Sequence, residues 1–396
     1  MSDALQPPAP VEHQWVDSPE ALIQLTEEMA KDDWIVIDSE ADSFHHYFEK
    51  ICLLQIETGG RIYLVDPLVD LDWTPFFAEL GKHILVIHGA DYDLRLLRQS
   101  FDFRPDSGIF DTSIAAQLLG LSGYGLASLV AQFCQVKLPK DNQRSDWSQR
   151  PLTDRQKAYA ANDVIYLRQV ATLLKERLLA KERLEWQEQM CESLIQATAQ
   201  DRQKDPDMEW RIKGAHELSR RELAFLKELW TWREGIAQSI DRPTYMILGN
   251  GPLMALVKAC ARATTDDLPI LPDDFKLPRN IKGKRLADLQ EAVTKAKSTS
   301  PDQYPRHPKT RGKRLSWTEG EIVKKLKKEL QKVADSLEID APLIASRSTL
   351  TTLSRFYDEP LEKGLEAAEL LPWQRTFVAP LFQKICQHLP TKPEEN

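Results

Sequence analysis

The chain has 396 residues, 42% of them hydrophobic and 28% charged, an ordinary balance for a soluble globular protein of two or three domains. No apolar run approaches the roughly 18 residues of a membrane span, the opening MSDALQPPAP lacks a secretory pattern, and five scattered cysteines with no C-x-x-C argue against a disulfide framework or a thiolate zinc site. The net charge of −8 is the sum of −13 over residues 1–200 and +5 over 201–396, with a local +11 over 276–332 that is either a polyanion contact or a solvated face.

The first predicted elements belong to an α/β domain. WIVID (34–38) is a continuous apolar run, expected of a strand covered on both faces. ICLLQIE (51–57) and RIYLVDP (61–67), joined by TGG, read as a hairpin. ILVIHGA (84–90) is another buried strand and GIFD (108–111) a short edge strand, so hairpin and crossovers together imply a mixed sheet. Leu94, Leu97 and Phe101 mark a helix face. Thr153 and Gln156 form a capping box opening a helix expected to run to about residue 190. A polar linker follows at 200–209, then helices over 210–297, where Ser219 and Glu222 form a second box and Leu223, Leu226 and Trp230 share a face. A Pro- and Lys/Arg-rich linker covers 298–314, and 315–390 is helical again. The helical half is expected to supply affinity and to be separable from the chemistry.

The chemistry starts where the first buried strand ends. Asp38 and Glu40 lie two residues apart, hence on one face of the strand and about 7 Å apart along it. With 60 acids in the chain, about nine acid-x-acid pairs arise by chance, so context decides. Asp93 follows another buried strand, in the first turn of a helix, where, taken alone, complementing the helix dipole is the better explanation. Tyr159 and Asp163 are spaced i, i+4 on one helix face. Asp163 interrupts the stripe Tyr159, Tyr166, Val170, where packing alone favours an apolar residue. Asp111 reads as an N-cap. Four converging carboxylates need compensating positive charge. No Lys or Arg adjoins Asp38 or Glu40, and an all-oxygen ligand set suits Mg²⁺ or Mn²⁺. Two such ions roughly 4 Å apart serve in-line displacement at phosphorus.

These motifs resemble the ribonuclease D branch of the DEDD 3'-5' exonucleases. DSEADSF carries the first motif, HGADYD the second and YAANDV the third, with Tyr159 marking the tyrosine variant; QRSDWSQRPL (143–152) is also similar to this branch. Ser39 stands where Thr is common, which reads as a neutral surface change. The resemblance implies a ribonuclease H-like exonuclease domain over 1–199, a helicase-and-RNase-D C-terminal (HRDC) domain over 210–297 and a divergent second copy over 315–390. It implies that Asp38, Glu40 and Asp163 bind one metal, that Asp38 bridges to a second with Asp93 helping through water, and that Tyr159 orients the nucleophile. The implied activity releases 5'-mononucleotides from single-stranded RNA 3' ends, tRNA precursors among them. Apart from the resemblance, the cysteine pattern fits a reducing cytoplasm, the lack of an apolar span fits no membrane attachment, and a monomer is expected.

His45, Gln143, Arg144 and Trp147 are candidate substrate contacts, with Trp147 open between stacking on a base and packing. His46 is a loop residue like His45, and His88 reads as structural. Competing readings are a 3'-5' DNA exonuclease with the same acids, a non-catalytic nucleic-acid-binding module, and an α/β domain with no nucleic acid, the last leaving Asp163 unexplained.

Overall fold

The computed structural model describes residues 11–139, 142–200, 205–263, 277–279, 281–308 and 314–389, so parts of both expected linkers lie outside the described residues. The chain divides into two compact units that do not follow chain order. One takes the residues up to 41, 51–200 and those from 313 onward; the other takes 42–50 and 201–312.

The first unit is built on a six-stranded mixed sheet in the order β1-β4-β3-β2-β5-β6. Its strands are β1 (Gln14–Val16), β2 (Trp34–Ala41), β3 (Ile51–Thr58), β4 (Arg61–Val65), β5 (Ile84–Ile87) and β6 (Ile109–Asp111). β2 and β3 are antiparallel, as are β3 and β4, while β2–β5, β5–β6 and β1–β4 run parallel. The expected hairpin turns on Gly59 and Gly60, both at positive φ (56° and 76°), the conformation a two-residue turn between twisted strands requires. Alternation along β2 splits its side chains. Ile35 and Ile37 enter one apolar layer with Leu94 and Leu97, while Val36 enters the other with Ala160, Ala161 and Val164.

Helices cover both faces: α1 (Pro19–Met29), α2 (Thr74–Leu80), α3 (Asp91–Phe101), α4 (Thr112–Leu118), α5 (Leu126–Cys134), α6 (Asp154–Ile165), α7 (Leu167–Ala180) and α8 (Leu184–Thr198). The Thr153/Gln156 capping box is formed, but the single long helix expected beyond it is three. α6 gives way to α7 at Tyr166. α7 ends where Glu182 turns left-handed (φ 55°) and the Arg183 N–H reaches back to Leu178 at 2.8 Å, a closure that satisfies terminal carbonyls and stops the helix.

The last helices are α14 (Trp317–Leu337), α15 (Ala341–Ile344), α16 (Arg347–Ser354), α17 (Leu361–Ala367) and α18 (Pro372–Gln387). They do not form the separable appendage the sequence suggests. Leu326, Leu330, Trp373 and Val378 join the same apolar core as Leu174 and Leu178 of α7. Trp186 stacks on Trp373 with centroids 4.7 Å apart. Buried Arg183 donates to the carbonyls of Leu118 (2.6 Å) and Leu337 (2.7 Å), tying the ends of α4 and α14 together.

The second unit holds α9 (Pro206–Glu209), α10 (Arg220–Ser239), α11 (Thr244–Ile247), α12 (Asn250–Arg262) and α13 (Lys284–Ser298). Ser219 and Glu222 cap α10 as expected. Leu223 and Leu226 are buried with Leu229, Leu253 and Leu289, whereas Trp230 packs only at the margin. Residues 42–50 belong to this unit. Asp241 accepts from the Tyr47 and Phe48 N–H groups (3.0 and 3.1 Å) and pairs with the His46 ring at 2.7 Å, while Arg242 donates to the His45 carbonyl at 3.1 Å. The five cysteines, all among the described residues, form no disulfide. Among the described residues no helix is long and apolar enough to cross a membrane.

Candidate active site

β2 delivers Asp38 and Glu40 to one face, half-buried at the end of the strand. Ser39 between them projects to the other face, where its hydroxyl donates to Asp93 Oδ1 at 2.5 Å. The expectation that Ser39 is neutral surface is therefore corrected. Its hydroxyl holds the carboxylate of Asp93, one of the candidate site acids. Asp93 itself is buried near the start of α3. The turn before it needs Gly89 at φ 72°, a left-handed conformation that strains any residue with a Cβ. Asp111 caps α4 as expected, accepting from Ser113 at 2.7 Å, and also receives the Gly89 and Ala90 N–H groups at 3.0 and 2.8 Å. The cap thus fixes the turn that presents Asp93. His88 contacts Thr112 Oγ1 at 2.9 Å, the structural role read from sequence.

α6 packs over β2, β3 and β4 and brings Tyr159 and Asp163 to the same place. Burial, reinforced by Asp93 and Asp163, pushes the Asp38 carboxyl well above the ordinary range. Glu40 is pushed up to about 10 by burial and by Asp38, Asp163 and Asp93. Burial raises Asp163 to about 7 against the opposing hydrogen bond from Tyr159, and Asp93 to about 6 against that from Ser39. Burial and the three nearby carboxylates raise the Tyr159 phenol, so it stays protonated. Among the described residues no Lys or Arg offsets these acids.

Mutually repelling carboxylates with only oxygen donors fit a hard divalent cation. Among the described residues, however, no three His, Cys, Asp or Glu side chains stand as a ready-made metal cluster. Asp93 is hydrogen-bonded by Ser39 and Asp163 by Tyr159.

A family model described as a 3'-5' exonuclease matches residues 13–179, and one described as an HRDC domain matches 222–268. A ribonuclease D of Pseudomonas paraeruginosa is 33% identical over 302 residues, covering 74% of this chain and 78% of its own length. The chain belongs to the ribonuclease D family. A ribonuclease D of Haemophilus influenzae is 30% identical over 382 residues, covering 93% and 90% of the two chains. The crystal structure of Escherichia coli RNase D, an exoribonuclease involved in structured RNA processing, matches with a TM-score of 0.69 and 25% identity over 96% of this chain and 100% of that one. The ribonuclease D assignment makes the chain a 3'-5' exoribonuclease with an α/β ribonuclease H-like domain and an HRDC domain, an RNA-binding hydrolase of a divalent-metal-dependent superfamily.

Within this ribonuclease D site the outlying candidates fall differently. Gln143 and Arg144 are exposed in the turn before α6. Trp147 is 1% exposed and packs against Tyr159 with centroids 6.0 Å apart, which favours packing over base stacking. His45 lies in the loop assigned to the second unit. Sequence reasoning missed Arg150. Its guanidinium clasps Asp66 through two bonds of 2.5 and 2.6 Å and donates to the Cys52 and Trp147 carbonyls (2.6 and 2.8 Å), pinning the 143–152 segment to the sheet beside the site. The lone signal was an Arg inside a segment already resembling the family.

Raised carboxyl values carry a pH consequence. A carboxyl whose folded pKa exceeds its unfolded one binds more protons folded than unfolded between the two, so stability falls as pH rises through that window. For Asp93 and Asp163 the window runs from the ordinary aspartate range up to about 6 and about 7. Metal-free protein should therefore melt lower at about pH 8 than at about pH 5, and saturating Mg²⁺ should raise the melting temperature more at the higher pH. Thermal unfolding checks this; metal-free stability that is flat or rises between those values contradicts it.

Proposed function

We propose that this chain removes 5'-mononucleotides one at a time from single-stranded 3' ends of RNA, tRNA precursors among them. In this reading Asp38, Glu40 and Asp163 would hold a divalent ion, Mg²⁺ or Mn²⁺, and Asp38 with the help of Asp93 would hold a second. The observation that carries it is the gathering of Asp38, Glu40 and Asp163 around Tyr159, with Asp93 acting on Asp38 and Glu40, each acid pushed up by burial with no cation among the described residues to offset it. Bound there, the ions supply the positive charge that makes water nucleophilic and stabilises the leaving 3' oxygen. The protonated Tyr159 hydroxyl aims the attacking water by hydrogen bonding and takes no proton itself. Ser39, Asp111 and Arg150 hold the platform. On 5'-labelled single-stranded RNA the expected product series shortens by single nucleotides; internal fragments appearing first contradict an exonuclease.

We read α14–α18 as a divergent second HRDC-type copy, bringing the domains to 1–199, 210–297 and 315–390. Supporting this, α10 and α14 both open on a Ser–Glu capping box and both lead into a four-residue helix, α11 or α15. The basic stretch of 276–332 is proposed to contact RNA phosphates. Exchanging exposed Lys282, Lys284, Lys327 and Lys328 for Gln should weaken RNA binding and flatten the salt dependence of log K by about 0.7 for each phosphate no longer neutralised. An unchanged slope in equilibrium binding would assign these lysines to a solvated face.

A further inference from the structure

Gln55 lies at the centre of β3 and is 0% exposed, yet neither its Nε2 nor its Oε1 has a hydrogen-bond partner. The cost of an unmet buried polar group is large enough that packing alone favours Leu or Met there. The next residue on the same face of β3, Glu57, is met by Arg168 at 2.6 Å; Gln55 is met by nothing. Its surroundings are defined by the sheet. On β4 its register partner is Leu64, part of the apolar core, and on β2 it is Asp38. Directly opposite residues in an antiparallel pair place their Cβ atoms about 5 Å apart on one face, well within reach of an amide and a carboxylate. α6, bearing Tyr159 and Asp163, packs against β3.

We propose that Gln55 is a positioning residue for Asp38, its Nε2 donating to the Asp38 carboxylate when that carboxylate holds an ion and so fixing which oxygens face the metal. Partners of this kind orient metal ligands, and their loss typically costs on the order of 10- to 100-fold in metal affinity. The inference rests on Asp38 being an ion ligand. Full burial keeps Gln55 from touching RNA, so its effect on the reaction passes through another side chain, and the register makes that Asp38.

The test is Mn²⁺ binding to the full-length protein without RNA, by calorimetry, alongside melting of the metal-free form. Gln55→Met keeps length and volume and removes both unmet atoms. It should melt no lower than wild type yet bind Mn²⁺ at least about tenfold more weakly. Gln55→Leu repeats the comparison should the Met variant fail to fold, and failure of both would assign the amide to folding and overturn the proposal. Asp38→Asn runs in the same series. If it loses Mn²⁺ while Gln55→Met binds within about twofold of wild type, well short of that expected loss, positioning by Gln55 is wrong. If Asp38→Asn itself binds normally, the ligand assignment is what fails.

Discussion

Asp38→Asn and Glu40→Gln, each made alone, should leave a folded protein that no longer cleaves RNA. Both replacements keep side-chain volume and remove a ligand charge. Divalent-ion charge stabilisation contributes several kcal/mol to such displacements, so the expected loss is on the order of 10³-fold or more. Stability should move the other way. Both carboxyls are already held far above their ordinary range, Asp38 by burial with Asp93 and Asp163 and Glu40 by burial with Asp38, Asp163 and Asp93. In metal-free protein a neutral amide therefore replaces a group already held neutral, and the variants should melt at or above wild type. Single-turnover cleavage and thermal unfolding check the two halves. Retained cleavage by either variant removes that residue from the ion site, and a collapsed fold would show that the acids serve structure.

Tyr159→Phe separates catalysis from ion binding. The ring packs against Trp147, and Phe keeps that packing; only the hydroxyl is lost, with its bond to Asp163. Surrounded by carboxylates and withdrawn from water, the phenol is shifted upward and cannot act as a base near neutral pH. In the proposed reading it orients the attacking water, a loss that would be felt in the transition state. The rate should fall on the order of 10²-fold or more, chiefly in kcat, with ion affinity kept. Single-turnover cleavage at saturating Mg²⁺ and RNA within about threefold of wild type, far from that range, makes Tyr159 a packing residue.

The acids were legible because their signals are local. A buried strand that ends on two carboxylates and a helix stripe broken at Asp163 both conflict with packing, and such conflicts mark function. Asp93 was ambiguous until Ser39 and Asp111 were seen to fix it from separate elements. What stayed hidden is held by contacts across long stretches of chain. Arg150 meets Asp66 across 84 positions, and Arg183 meets Leu337 across 154. Nothing near either Arg announces its partner. The same holds for α14–α18, whose amphipathic helices suit an independent bundle equally well, and whose docking on α7 and α8 depends on the Trp186–Trp373 stack. β1, three residues long, offers too short a pattern to read. Gln55 sat inside ICLLQIE as one polar residue in a strand, and only the register beside Asp38 gives it meaning.

Anomalous diffraction from crystals of the full-length protein soaked in Mn²⁺ tests the ion site most directly. Two peaks roughly 4 Å apart, with Asp38 between them and Glu40 and Asp163 on one, are the expected result. Manganese bound elsewhere on the protein, with Asp38, Glu40, Asp93 and Asp163 left without an ion, would contradict it.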